Sequence, residues 1–414
     1  MKYYISIICI LLVSLSSLNG CSVANALRMM RANNDLVAQW PTDKKPQVLE
    51  AFYIGEKPYI KVLANNDTEL LFLIDTGASF TMLFDTDKGT KLANHKGFDL
   101  SVKGWGDGED TPAYQTLLTS LSIGEVSFSD VKVAYIPIST SQYYLSEKEA
   151  IFDGVVGHDL MRHFSWTFDK KASKITVSPE GYKPISSDTV IPFDVGFSKL
   201  SIPAVVKFNE TVYVEKEVVI DTGSRHYLKL SSIYPKNNDI VLPEVKIKAA
   251  DFGMSGIALH ERVTLPSIKL GNITFPNVKT NLIESDDEDD WWVIGSALMN
   301  QTITIIDYHN NNFVIKKYKN QEFASKFNLA GLDVRKLNNG KMFVRYVYPD
   351  FPAMAVGLNQ GDEINAINGI DTIDLSEEDW LEMVSKPATF NICTTKSICK
   401  SFKTQHIKGY SISK

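Results

Sequence analysis

Two Asp-Thr-Gly triplets, Asp75-Thr76-Gly77 and Asp221-Thr222-Gly223, stand 146 positions apart in a chain of 414 residues. Each follows an apolar run suited to a buried strand, Leu70-Leu71-Phe72-Leu73-Ile74 and Val218-Val219-Ile220. Such a strand delivers its aspartate to a turn at its end, where the glycine lets another backbone approach closely. Two carboxylates held together by such loops cannot both ionise, so the pair keeps one proton. One member can then take a proton from water while the other donates to an oxygen that is gaining charge, which is the chemistry of amide hydrolysis. A lone Asp-Thr-Gly also makes an ordinary turn, so the argument rests on the pair.

The elements that position the aspartates come from a repeat. Trp105-Gly106 follows the first triplet much as Phe252-Gly253 follows the second, and Leu121-Ser122-Ile123-Gly124 has its counterpart in Ile268-Lys269-Leu270-Gly271. Val155-Val156-Gly157 answers to Val293-Ile294-Gly295, and Asp169 to Asp307. Repeated landmarks of this kind mark a duplicated unit. Short runs rich in Ile, Val, Leu, Phe and Thr, broken by Gly, Asn, Asp and Pro, predict β structure throughout. The lobes are expected at 48–186 and 187–317, with the polar stretch Lys316-Lys317-Tyr318-Lys319-Asn320-Gln321 as a linker to a C-terminal domain.

On the two triplets and the two apolar-apolar-Gly strands, residues 48–317 resemble the aspartic protease superfamily, both retroviral-type and pepsin-like. The resemblance implies a mainly β fold, with two homologous retropepsin-like lobes forming a pepsin-like bilobal acid protease. It gives Asp75 and Asp221 the catalytic role and assigns support of the active-site loops to Thr76, Gly77, Thr222, Gly223 and Ser224. The threonines are expected to bond across a pseudo-twofold axis, and the Ser224 hydroxyl to bond the adjacent carboxylate. Trp105 and Gly106 are expected in a flap over the cleft, the other reading of Trp105 being an aromatic packed in a lobe core. Both halves lie in one chain, so a monomer should suffice. Two residues depart from the pepsin-like pattern, Ala78 in the first loop and Arg225 in the second.

From about residue 322 to 408 the chain resembles a PDZ domain, an α+β fold. Ala330-Gly331-Leu332-Asp333-Val334 stands where a carboxylate-binding loop belongs, and Pro352 to Leu358 reads as a short helix from proline to glycine. Ser376-Glu377-Glu378-Asp379 resembles a capping box that opens a second helix carrying Trp380, Leu381 and Val384. The resemblance implies that Gly331, Leu332 and Val334 receive an extended peptide as an added strand, including a C-terminal peptide ligand. The other reading is a domain that packs on the lobes with its groove closed.

Lys2 and the apolar run from Tyr3 to Leu15 read as a signal peptide over 1–20, too short to span a bilayer. Leu18-Asn19-Gly20-Cys21 resembles a bacterial lipobox, which would put lipid on Cys21 and leave 21–47 as a polar tether. The expected location is the cell envelope, lipid-anchored to a bacterial membrane. In such a compartment Cys393 and Cys399, placed across a predicted hairpin, can form a disulfide, with two free thiols as the other reading. A net charge of −6 provides no basic field for nucleic acid. Neither cofactor nor metal is expected: the acidic run 284–290 lacks the glycine spacing of a calcium loop, and His158 and His163 have no partners at ligand spacing.

The function expected is an aspartic endopeptidase acting on a peptide or protein substrate, with the C-terminal domain recruiting ligands. The alternative, from another class, is a non-catalytic lipoprotein that uses a protease-like cleft and the PDZ groove as docking sites.

Overall fold

The computed structural model describes residues 24–106, 108–137, 151–285, 287, 292–396 and 398–407. The chain is mainly β, as its β-branched and aromatic runs predict. Strand Thr68–Ile74 pairs antiparallel with Lys57–Ala64 and parallel with Gly154–Val156, setting Ile74 opposite Val156. In the second half Tyr213–Asp221 pairs antiparallel with Lys199–Lys207 and parallel with Trp292–Gly295, setting Ile220 opposite Ile294. The two short strands Gly154–Val156 and Trp292–Gly295 are buried along their whole length, which explains why they read as continuous apolar runs.

The correspondence extends outward. Met82–Phe84 runs antiparallel to Gly154–Val156 and parallel to Val126–Ile136, while Leu228–Ser231 stands in the same relation to Trp292–Gly295 and Ile273–Ile283. The long hairpins Thr111–Ile123 with Val126–Ile136 and Gly256–Leu270 with Ile273–Ile283 both turn at a glycine of positive φ, Gly124 at 60° and Gly271 at 56°. Two-residue turns between strands require that backbone, which explains the recurrence of glycine at this point in both halves.

Between the halves, hairpin Ser165–Asp169/Lys174–Ser178 lies beside hairpin Thr302–Asp307/Asn312–Lys317, with Phe168 opposite Thr304. Gln47–Ile54 extends this sheet on one side and Thr189–Pro192 on the other. Phe72, Trp166, Trp292 and Ile306, drawn from both halves, share one apolar core. The two aspartate loops are thereby carried on a single packed frame.

Residues 24–47 correct the expectation of a free tether. A helix over 24–31 buries Met29 completely, and Asn33 Nδ2 donates to Asp159 Oδ2 at 2.6 Å. Gln39 and Ser127 exchange backbone bonds of 2.8 and 3.1 Å. The apolar and amide groups of the segment thus find partners on the first half. Residues 1–23, including the expected signal peptide and Cys21, lie outside the described residues, as does most of the acidic run 284–290.

The C-terminal part has its own six-stranded sheet and core, with helices Pro352–Ala355 and Glu377–Val384. Ser376 and Asp379 form the capping box read from the sequence, and Trp380 and Val384 are buried beneath it. Cys393 and Cys399 face each other across hairpin Thr389–Thr394/Cys399–Lys403 and are joined as a disulfide. This part docks on both halves. The Glu56 N–H donates to Glu378 Oε1 at 2.6 Å, and Lys170 Nζ bridges Glu56 and Glu378 at 2.5 and 2.6 Å. A separate apolar cluster unites Ile247 and Ala249 of the second half with Tyr348 and Phe351.

Candidate active site

The two strands end where their aspartates are needed. The Asp75 N–H donates to Val156 O at 3.1 Å, and each loop turns back on itself through Ala78 N to Asp75 O and Ser224 N to Asp221 O, both 3.2 Å. Each turn is braced from behind: His158 N donates to Ala78 O at 2.9 Å and Ser296 N to Ser224 O at 2.7 Å. The glycines before those braces admit no side chain. A Cβ on Gly157 would lie 2.5 Å from the Phe80 carbonyl, and one on Gly295 2.4 Å from that of Ser224.

Thr76 and Thr222 lock the loops to each other. Thr76 N donates to Thr222 Oγ1 and Thr222 N to Thr76 Oγ1, both at 3.0 Å. Each hydroxyl then donates to the opposite strand, Thr76 Oγ1 to Ile220 O and Thr222 Oγ1 to Ile74 O, both at 2.7 Å. Both threonines are buried. Four such bonds between buried groups fix the loops' separation, because leaving any one of them unmade costs its desolvation.

Each aspartate sits against the other loop's glycine. A Cβ on Gly77 would lie 2.6 Å from Asp221 Oδ1, and one on Gly223 2.3 Å from Asp75 Cγ. Asp75 Oδ1 accepts from Gly77 N at 2.7 Å, while the buried Asp221 Oδ1 makes no hydrogen bond among the described residues. Removal from water, and then the charge of Asp221, push the Asp75 carboxyl up to about 7, against the opposing pull of Lys199. Lys199, whose ammonium donates to Gly77 O, was not found by sequence reasoning. It lies in an alternating strand that carries no local sign of a site.

One expectation for the second loop needs correction, and its unusual residue finds a partner. Ser224 Oγ is buried and makes no hydrogen bond among the described residues, so the residue supports the loop through its backbone and not through a hydroxyl on the carboxylate. Arg225 is drawn to the C-terminal part: its Nη2 donates to Asp333 Oδ2 at 2.5 Å and its Nε lies 3.6 Å from Asp251 Oδ1.

Trp105 and Gly106 lie at the tip that follows strand Asp99–Val102, and this tip touches its counterpart in the second half. Ser255 N donates to Trp105 O at 2.9 Å, Gly108 N to Ser255 O at 2.7 Å, and Gly104 N to Ser255 Oγ at 2.9 Å. Trp105 meets His226 edge-on at 6.0 Å and lies 4.0 Å from the Lys229 ammonium. Sequence reasoning missed Met254 and Ser255, although the glycines Gly253 and Gly256 around them are a hairpin signal.

Below the joined tips lies a cleft of about 610 Å³ lined by Asp75, Asp221 and Trp105, and by Arg335, Arg345 and Glu377 of the C-terminal part. The residues assigned to a peptide groove stand apart from it. Leu332 and Val334 belong to the C-terminal core, and a Cβ on Gly331 would strike Phe351. The strand edge there is already used: Trp380 Nε1 donates to Leu332 O at 3.3 Å, and Lys336 N donates to Glu377 Oε1 at 2.9 Å. Both bonds come from helix Glu377–Val384 of the same part.

His158 and His163 are pushed down to about 4, burial being the main cause. Among the described residues no group of three or more His, Cys, Asp or Glu could hold a metal, and no helix is long and apolar enough to cross a membrane.

A family model described as aspartyl protease matches residues 60–160, from within strand Lys57–Ala64 to the helix after Gly157. No curated protein matches the chain. The match supports the aspartic protease superfamily for the first half, and with it a protease-like hydrolase. It stops short of Asp221.

Proposed function

We propose that this chain is an aspartic endopeptidase with a pepsin-like, two-lobed catalytic unit and one dyad, Asp75 and Asp221. The observation that carries the reading is the reciprocal bonding of Thr76 and Thr222, which sets each carboxylate against the opposite loop's glycine. Asp75, pushed up to about 7, holds the shared proton. A water between the carboxylates gives a proton to the second and attacks the peptide carbonyl, while Asp75 donates to the developing oxyanion. The second carboxyl then passes its proton to the leaving amine as the C–N bond breaks, while a hydroxyl of the tetrahedral intermediate returns a proton to Asp75, restoring the dyad. Trp105 and the paired tips cover the bond being cut and exclude bulk water.

The C-terminal domain is read as a PDZ-like module that recruits peptide or protein ligands. Leu332 O and Lys336 N already have side-chain partners, so recruitment requires helix Glu377–Val384 to move off the strand edge. Cys21 is read as the lipid-bearing residue at a bacterial membrane, on the strength of Leu18-Asn19-Gly20-Cys21. Digestion of a peptide library by the wild type and by Asp75→Asn tests the activity. Cleavage products are expected from the wild type alone and should disappear with a statine-type transition-state analogue; a wild type that cuts nothing overturns the proposal.

A further inference from the structure

The cleft is unusually rich in cations for a site whose reaction uses two acids, and sorting them by partner is informative. Arg225 and Arg345 are both committed to Asp333, Arg225 Nη2 at 2.5 Å and Arg345 Nη2 at 2.7 Å. Lys199 is committed to the Gly77 carbonyl, and Lys229 lies against the Trp105 ring. Lys103 also lines the cleft but is exposed, which leaves two part-buried cations. Arg335 lines the cleft, and its buried Nε makes no hydrogen bond among the described residues. Lys57, at the start of strand Lys57–Ala64, also lines the cleft.

Two of the acids nearby have other partners. Glu377 Oε1 accepts from Lys336 N, and Asp251 is engaged by Arg262 at 3.1 Å and by Asn281 at 2.7 Å. Burial, followed by the charges of Arg225 and Arg335, lowers Lys57 to about 8, even though Asp75 and Asp221 pull it the other way. Lys57 therefore feels the charges of both Arg335 and the dyad. Two like charges kept from water cost free energy, and an anion between them relieves it. The planar fork of an arginine suits a carboxylate in particular, since both oxygens can be met at once.

We propose that the C-terminal domain completes the substrate cleft, and that Arg335 and Lys57 together bind a carboxylate of the substrate close to the bond being cut. This rests on the peptidase reading and adds a specificity to it. The carboxylate is either an Asp or Glu side chain flanking the cut or the C-terminus of a short peptide. Arg335 comes from a strand some 260 positions beyond Asp75, so a chain truncated before the C-terminal domain would lack this selectivity.

The test uses the full mature chain and matched peptides that share one cleaved bond. One pair differs by Glu or Gln beside the cut, and a second pair by a free or amidated C-terminus. The wild type should favour the carboxylate member of one pair by about tenfold in kcat/KM, the scale of one charge-assisted hydrogen bond. The pair that discriminates identifies the source of the carboxylate. In Arg335→Gln and in Lys57→Met that ratio should fall toward one, while Arg335→Lys keeps part of it. A wild-type ratio near one in both pairs overturns the proposal without needing any variant to fold, as does a ratio unchanged in both variants. If no peptide is cut, the peptidase reading fails separately. Fluorescence anisotropy of the same peptides on Asp75→Asn then decides the carboxylate site, and equal affinities within both pairs reject it.

Discussion

Arg225 Nη2 lies 2.5 Å from Asp333 Oδ2, which ties the residue just past the second aspartate loop to the first strand of the C-terminal domain. Asp333 is buried and also takes Arg345 Nε at 2.9 Å. Burial alone would raise its carboxyl, but the two guanidinium groups hold it below the usual range. Asp333→Asn leaves Arg345 without its counter-charge and Arg225 with only the more distant Asp251, which should cost roughly 3–5 kcal/mol in urea unfolding. It should also lower kcat/KM, because Arg345 lies 4.5 Å from the Phe252 ring in the second tip. A loss under about 1 kcal/mol, the scale of an exposed pair, contradicts this account of the docking.

Lys199 favours the ionised form of Asp75. Without it the shared proton stays on the dyad to higher pH, and the active form persists with it. In Lys199→Met the upper limb of the kcat/KM profile should therefore move to more alkaline pH. An unmoved limb, or an acidic shift, shows that the lysine does not act on the dyad.

Asp75 also links stability to pH. In the folded chain its carboxyl sits up to about 7, whereas unfolded it falls to roughly 4. The stability this group contributes is fully present below the unfolded value and is lost as pH rises through 7. Asp75→Asn does not titrate, so its stability relative to wild type should grow from about pH 4 to 7 and then level off. Urea midpoints of both proteins at pH 4, 5.5 and 7 measure this, and a constant difference rejects it.

How much of this was legible in the sequence depended on how locally each feature is encoded. The triplets and the glycines Gly157 and Gly295 announce themselves because close backbone approach excludes other residues there. The capping box of Ser376 and Asp379 is equally local. Lys199 is not: it reaches Gly77 across 122 positions, and its strand alternates like any other. Arg225 read as an oddity of the second loop because its partner, Asp333, lies 108 positions on in a domain expected beyond a linker. The segment 24–47 looked like a tether because its apolar residues make no steady stripe, yet Met29 and Asn33 help to seat it.

Cys21→Ser should move the protein from the membrane to the soluble fraction, since a polar segment by itself has no means of entering lipid. Unchanged fractionation contradicts the lipobox reading.

Under the proposed function both halves supply an essential carboxylate. Asp221→Asn replaces a carboxylate by an amide of the same shape that cannot take the water's proton. The most direct measurement is single-peptide turnover by wild type, Asp75→Asn and Asp221→Asn at equal concentration near pH 5, read by mass spectrometry. Loss of turnover in both variants, by about a thousandfold or more, is the predicted result. Near wild-type turnover in Asp221→Asn contradicts the single-chain dyad and leaves the first half, paired with a second copy of itself, as the catalytic unit.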